Sequence, residues 1–321
     1  VKILRFLYKG IGEQKQTGMT MTDSREKILF IKLGAFGDFI MTLGYMHAVR
    51  AHHAQAEFVL MTTPPFAEMA EKCGYFDRVV TVERYGFTEA GKWLRLVKML
   101  RREAFDLVYD MQQNDRTKIM RLLSPHRTRR SWYRGGRVPE GALEIKNIRD
   151  FPPPDMGWMD GDISSFALPE NFVLLAPGAA PHRPLKRWPP AHYGTLAQNI
   201  AAQGFTPVIL GGGAETEIAA EITKLCPAAK NLCGKTSFAD IAALARHAAL
   251  AVGNDTGPMH LIAAAGCPVI SLFSGDSKPA QSAPHGVDVT VLRAIPIENL
   301  APEEVLAAFT KKTAARNSSN R

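Results

Sequence analysis

Four segments of this chain put glycines, charges and hydroxyls where an apolar strand-like run gives way to a helical pattern. The first is Gly34-Ala35-Phe36-Gly37-Asp38. Its glycines allow a tight turn and close approach to the backbone. Its carboxylate stands at a predicted helix start. Asp38 there either caps the helix or faces a cleft as a proton acceptor. The spacing is not G-x-G-x-x-G, so a dinucleotide cofactor is not indicated. The second segment, Pro177–Pro189, crowds His182, Arg183, Lys186, Arg187 and the Trp188 indole into one loop. Such a loop suits capture of a phosphate or carboxylate, or is simply an exposed basic surface. Trp188 is expected to pack the following helix.

The third segment, Leu210-Gly211-Gly212-Gly213-Ala214-Glu215, pairs a backbone that a ligand can approach at Gly212 with a carboxylate, Glu215, that could bind ribose hydroxyls. A plain turn explains it equally well. The fourth is Gly253-Asn254-Asp255-Thr256-Gly257-Pro258-Met259-His260. Free N–H groups at a helix start, with the Thr256 hydroxyl and Gly257, make an anion site. Asp255 could contact sugar hydroxyls, and His260 either faces the cleft or packs. No cluster of Asp, Glu, His or Cys shows metal-ligand spacing, so no metal site is expected.

The elements that must position these loops alternate between strand and helix. Apolar runs at 27–33, 57–62, 78–82 and 105–110 predict strands, and 39–52, 64–73 and 92–102 predict helices. Prolines between 152 and 169 mark a connector. The alternation then resumes with strands at 172–176, 206–210, 249–252 and 268–273, and helices at 190–203, 215–225, 237–247 and 258–265. Ser237 and Asp240 are spaced as a capping box. The reading is an α/β chain of two Rossmann-like domains with parallel sheets and a cleft between them. Residues 1–26 form an N-terminal extension, read as flexible; 27–150 the first domain; 151–170 a linker; 171–310 the second domain; and 311–321 a tail.

Composition is ordinary for a globular protein, with 46% hydrophobic and 22% charged residues. The net charge of +8 is concentrated. Between Arg116 and Arg149 ten Lys and Arg, among them Arg127, Arg129 and Arg130, face only Glu140 and Glu144. That excess suggests an anionic partner, or a solvated basic face. Nucleic acid is not indicated, because the segment has no standard binding motif and few aromatics. Cys73, Cys226, Cys233 and Cys267 are scattered, which predicts four buried, inert thiols. No apolar run reaches the length of a membrane span, and no signal-peptide pattern opens the chain. A cytoplasmic protein is expected.

In this order, ILFIKLGAFGDFIMTLG (28–44), LLAPGAAPHRPLKRWPPAHY (174–193), VILGGGAE (208–215) and GKTSFADIAALARHAALAVGNDTGPMHLIAAAGCPVISLF (234–273) resemble the ADP-heptose:lipopolysaccharide heptosyltransferases, glycosyltransferase family 9. The resemblance runs from about Lys27 to Phe309 and is vaguest between Phe87 and Ala167. It implies a GT-B fold and inverting, metal-independent transfer from a nucleotide-sugar donor, with no cofactor. It implies that Asp38 is the general base and that Lys186, with Arg187 beside it, holds the donor diphosphate or sugar. Asp255 would bind the transferred sugar, and Thr256, Gly257 and the N–H groups up to His260 the diphosphate. Glu215 would take the ribose, with Glu217 as a competing alignment, beside Gly212. The first domain, with Gly37 and the arginines 127, 129 and 130, would receive an anionic lipopolysaccharide-core acceptor and touch the inner-membrane surface from the cytoplasmic side. Three other readings remain at this point: transfer of a different sugar or to a different glycan, a sugar-nucleotide epimerase, and a non-catalytic binder of anionic glycolipid.

Overall fold

The computed structural model describes residues 25–83, 86, 89–125, 132–134 and 137–319. Its first sheet is all parallel, in the order β3-β2-β1-β4-β5. The strands are β1 (Lys27–Ile31), β2 (Glu57–Thr62), β3 (Arg78–Thr81), β4 (Leu107–Asp110) and β5 (Trp132–Tyr133). The central strands are buried on both faces, which is why they read as unbroken apolar runs. Helices α1 (Phe36–His52), α2 (Pro64–Lys72), α3 (Ala90–Glu103) and α4 (Asp115–Leu123) connect them. The second sheet is also all parallel, in the order β11-β10-β9-β6-β7-β8. Its strands are β6 (Phe172–Ala176), β7 (Thr206–Ile209), β8 (Lys230–Asn231), β9 (Leu250–Asn254), β10 (Val269–Phe273) and β11 (Val289–Arg293). Around it run α5 (Pro190–Ala202), α6 (Thr216–Leu225), α7 (Phe238–His247), α8 (Gly257–Ala264), α9 (Pro279–Ser282) and α10 (Pro302–Ser319).

In each sheet the strand order reverses direction once, between β1 and β4 and between β6 and β9. The crevice beyond the carboxyl ends of such neighbours is where open α/β sheets bind ligands. The loops singled out from the sequence leave β1, β6, β7 and β9 at those ends.

The apolar core has three parts. One lies on the outer side of the first sheet, around Leu29, Ile31, Leu96 and Met120. A second lies on the outer side of the second sheet, around Val173, Tyr193, Leu272 and Phe309. The third is shared: Phe30, Phe39, Leu43, Met156, Met159, Leu174, Leu244 and Ile262 belong to one continuous buried cluster. Two domains that share a core are held together by the hydrophobic effect itself.

Several expectations need correction. The helix after β1 starts at Phe36 rather than 39, so Asp38 sits in its first turn and not at the cap; Ala35 holds that position. The connector at 151–170 packs against both sheets' helices. Pro152 packs its carbonyl so closely on Gly44 of α1 that a Cβ there would approach within 2.2 Å, and Met156 and Met159 are buried. Arg246 of α7 donates to the carbonyls of Met156 and Met159 and pairs with Asp160. The segment 311–321 is not a tail throughout. Helix α10 runs to Ser319, because Val305, Phe309 and Thr313 are buried at helical spacing. Of the four cysteines, Cys233 is only half-buried, although all are free thiols. The Ser237–Asp240 capping box is present. Trp188 packs edge-to-face on Tyr193 of α5 at 4.8 Å, as expected.

Candidate active site

After β1 the chain turns through Gly34, whose φ of +131° disfavours any side chain. It then enters α1, which carries Gly37 and Asp38 toward the second domain. The Asp38 side chain is 56% exposed. Its ion-pair partner is Lys32, whose ammonium lies 3.8 Å away and is itself almost entirely buried. Burial pushes the Lys32 ammonium below its ordinary range, while Asp38 and Asp110 oppose that shift.

Gly37 meets the second domain directly. A Cβ on it would lie 2.5 Å from Cδ2 of His260, so only glycine lets α1 reach α8. His260 is buried in the first turn or so of α8. Burial pushes its imidazole down to about 4; the carboxylates of Asp255 and Asp38 oppose this, and Arg149 and Lys186 add to it. Its Nδ1 has no hydrogen-bond partner among the described residues. A histidine held neutral by burial thus lies within electrostatic reach of both candidate carboxylates, Asp38 from the first domain and Asp255 from the second. Phe36, one residue before Gly37, stacks on Phe238 at 4.0 Å and covers Gly257, where a Cβ would meet its ring at 2.8 Å.

On the second domain, Lys186 lies in a short turn over Pro184–Lys186. It pairs with buried Asp255 at 2.6 Å, and Ser277 donates to the same carboxylate oxygen at 2.5 Å. Asn254 fixes this frame. Its Oδ1 accepts from the Trp188 backbone N–H at 3.1 Å and the Tyr193 hydroxyl at 3.0 Å. Its Nδ2 donates to the carbonyls of Pro177 at 2.7 Å and Gly178 at 3.3 Å. The loops after β6 and β9 are therefore locked to each other through one buried amide. Glu215 accepts from the Gly212 N–H at 2.8 Å and closes the Gly213–Glu215 turn. Its side chain lies against Gly178, which puts it beside the same loop. Glu217 is exposed on α6. Arg187 donates to the Ala179 carbonyl, and Thr256 and Gly257 begin α8.

The structure thus brings Gly37, Asp38, Lys186, Asp255, Thr256, Gly257 and His260 to one interdomain region, with Arg187, Gly212 and Glu215 on the adjoining loops. Arg127, Arg129 and Arg130 lie outside the described residues. Their neighbours are not a uniform basic face. Arg134 pairs with fully buried Asp110 at 2.6 Å, Arg116 stands over the Trp93 ring, and Arg149 donates to the Ala283 carbonyl of the second domain. A cavity of about 280 Å³ opens at the carboxyl ends of β1 to β4, lined by Leu33, Thr63, Val82, Glu83, Gln112, Asn114 and Arg116. Sequence reasoning missed Lys32, Ser277 and the anchoring role of Asn254. A lysine inside the apolar run KILFIKL was the available signal, because a buried lysine needs partners.

Lys186 gives a direct test of the cation's role. Lys186→Ala should lower kcat/KM for the donor by on the order of 1–3 kcal/mol, the scale of a lost charge-assisted bond. Steady-state titration of each substrate separates the cases. A loss confined to the acceptor KM would assign Lys186 to the other substrate.

Two Rossmann-like sheets with their ligand edges turned to one cleft make this a GT-B-type α/β protein. Residues 159–311 match the family model of Glycosyltransferase family 9 (heptosyltransferase), and the resemblance read from the four motifs is borne out. The chain is 24% identical over 275 residues to lipopolysaccharide heptosyltransferase 3 of Escherichia coli, covering 74% of this chain and 80% of that one. Its fold matches the E. coli ADP-heptose lps heptosyltransferase II with a TM-score of 0.70 and 21% identity, over 91% of this chain and 99% of that chain. A UDP-GlcNAc 2-epimerase from Methanocaldococcus jannaschii shares the architecture at a TM-score of 0.55 and 13% identity, over 88% and 92% of the two chains. The architecture alone does not separate transferase from epimerase; the match over residues 159–311 is to a transferase family.

Proposed function

We propose that this protein is an inverting glycosyltransferase that moves heptose from a nucleotide-diphosphate donor, ADP-heptose, to a lipopolysaccharide-core acceptor. The observation that carries this reading is that Asp38 of one domain and the Lys186–Asp255 pair of the other all lie within electrostatic reach of buried His260. An acceptor hydroxyl is a weak nucleophile. Asp38 accepts its proton as the oxygen attacks the anomeric carbon from the face opposite the diphosphate. The carbon–oxygen bond to the diphosphate breaks, and ADP leaves with the bonding pair. Lys186 stabilises the charge that develops there, helped by N–H groups at the start of α8. Asp255 and Glu215 take sugar and ribose hydroxyls. Phe36 lies against Gly257 in this structure, beside the N–H groups that open α8.

The acceptor enters from the first domain, whose cavity lies beside Leu33 and Gln112. The basic segment, with Arg127, Arg129 and Arg130, attracts the anionic core and the cytoplasmic face of the inner membrane, weakly per charge and more strongly together. Among the described residues, no helix is long and apolar enough to cross a membrane.

Donor, acceptor and metal dependence can be tested in one mass-spectrometric assay. ADP-heptose, UDP-sugars and GDP-sugars are each offered with a truncated lipopolysaccharide core, before and after prolonged EDTA treatment. Heptosylated core from ADP-heptose, undiminished by EDTA, is expected. Activity lost to EDTA and restored by Mg²⁺ or Mn²⁺ would replace the metal-independent mechanism. Isomerised sugar nucleotide formed without acceptor would replace the transferase reading with an epimerase.

A further inference from the structure

Lys32 follows β1, and only 7% of its side chain is exposed. A buried ammonium is costly to hold unless charges and carbonyls surround it, and three such groups do. Asp38 of α1 lies 3.8 Å away, the Met111 carbonyl accepts from Nζ at 3.3 Å, and Asp110 of β4 acts on it electrostatically. Lys32 and Met111 lie just past the ends of β1 and β4, and Asp110 closes β4, the two strands where the order of the first sheet reverses, while Asp38 faces them from α1. The adjoining Leu33 N–H donates to the Gln112 side chain at 2.8 Å, fastening the same two strand ends. Asp110 is already committed, to Arg134 at 2.6 Å and to the N–H groups of Gln112 and Gln113. Asp38 is not: its carboxylate is mostly exposed. Lys32 thus joins a rigid buried frame to a solvent-facing carboxylate.

We propose that Lys32 is a positioning residue for Asp38, its anchored ammonium fixing the direction in which that carboxylate faces the acceptor hydroxyl. This rests on the reading of Asp38 as the base. Lys32 takes no proton in the reaction and touches no donor atom. Its contribution is to hold the acceptor oxygen and the carboxylate in line, where small displacements carry large rate penalties. The charged groups facing the Lys32–Asp38 pair are Asp110 and its partner Arg134, and the one neutral titratable group beside it is buried His260.

The test uses the full chain with Lys32→Met, Lys32→Gln, Lys32→Arg, Asp38→Asn and the double variant Lys32→Met with Asp38→Asn. Thermal midpoints establish which variants fold, and the glutamine variant stands in if methionine does not. The methionine variant is expected to lose about tenfold or more in kcat, the scale on which misplacing a reacting group slows catalysis, while donor KM stays within about twofold. Arginine should restore part of the loss. A fall in kcat at unchanged donor KM, partly rescued by arginine, is a pattern that a purely structural residue would not give. In the Asp38→Asn background the lysine substitution should cost nothing further, because the two act as a unit. Unchanged kcat in the single variant overturns the proposal, as does an equal loss in both backgrounds. Near-normal turnover of Asp38→Asn alone overturns the base reading itself, and the proposal with it.

Discussion

Asp38→Asn should lower kcat by about 100-fold or more, the usual scale of general-base catalysis, with donor affinity nearly unchanged. The substitution keeps the size of the side chain and the turn that carries it. It removes only the charge and the capacity to take a proton. Structural side effects are small because this carboxylate caps no helix: Ala35 occupies the cap position, and 56% of the Asp38 side chain is exposed. Loss of its interaction with the α1 dipole costs about 0.3–1 kcal/mol, and the Lys32 ammonium that loses this ion pair keeps the Met111 carbonyl and the field of Asp110. That is too little to unfold the chain, so the kinetic loss can be read as chemistry. Donor affinity should be insulated because Lys186, Asp255 and Glu215, the groups proposed to hold the donor, stand on the other domain. The check is turnover at saturating donor and acceptor, with a donor titration alongside. Near-normal turnover would remove Asp38 from the chemistry, and a loss confined to donor KM would place it on the nucleotide sugar.

Asn254→Ala should cost about 3–5 kcal/mol of stability, taking each orphaned buried group at about 1–3 kcal/mol. The amide makes four hydrogen bonds in a site closed to solvent. Alanine leaves the Trp188 N–H and the Pro177 carbonyl without those partners. The Tyr193 hydroxyl retains only a long contact of 3.5 Å to Ala176. Asn254→Asp is no rescue, since an ionised carboxylate cannot donate to the carbonyls of Pro177 and Gly178. Because the same amide ties the loops after β6 and β9 together, donor KM should rise with the fall in stability. Urea unfolding with a donor titration reads both. A stability loss under about 1 kcal/mol would show that water or a neighbour replaces the amide.

The two sheets were largely legible, because strands buried on both faces leave continuous apolar runs such as KILFI and FVLLA. The short edge strands β5 and β8, two residues each, leave no such trace. The partly exposed β11 is hardly more visible. The start of α1 was misplaced because Phe36 and Gly37 do not look helical. Their reason is tertiary: Phe36 stacks on Phe238, and Gly37 makes room for His260. The site loops were found because glycines and charges mark strand-to-helix turns, but loop composition cannot say which charges are already paired. Arg134 counted toward a basic surface, yet it neutralises a buried aspartate. Lys32 was hidden for the opposite reason, as a lone polar residue in an apolar run. The 151–170 stretch read as a linker because proline excludes regular structure, and its composition carried no sign of how closely it packs.

That connector sets the terms on which the two halves can be exchanged between related enzymes. Pro152 fits the notch at Gly44, and Arg246 grips the backbone at Met156 and Met159. A chimera cut at the prolines would pair one parent's notch with the other parent's plug. A seam that travels well would keep α1, residues 151–160 and α7 from a single parent, and would trade only the loops that face the two substrates.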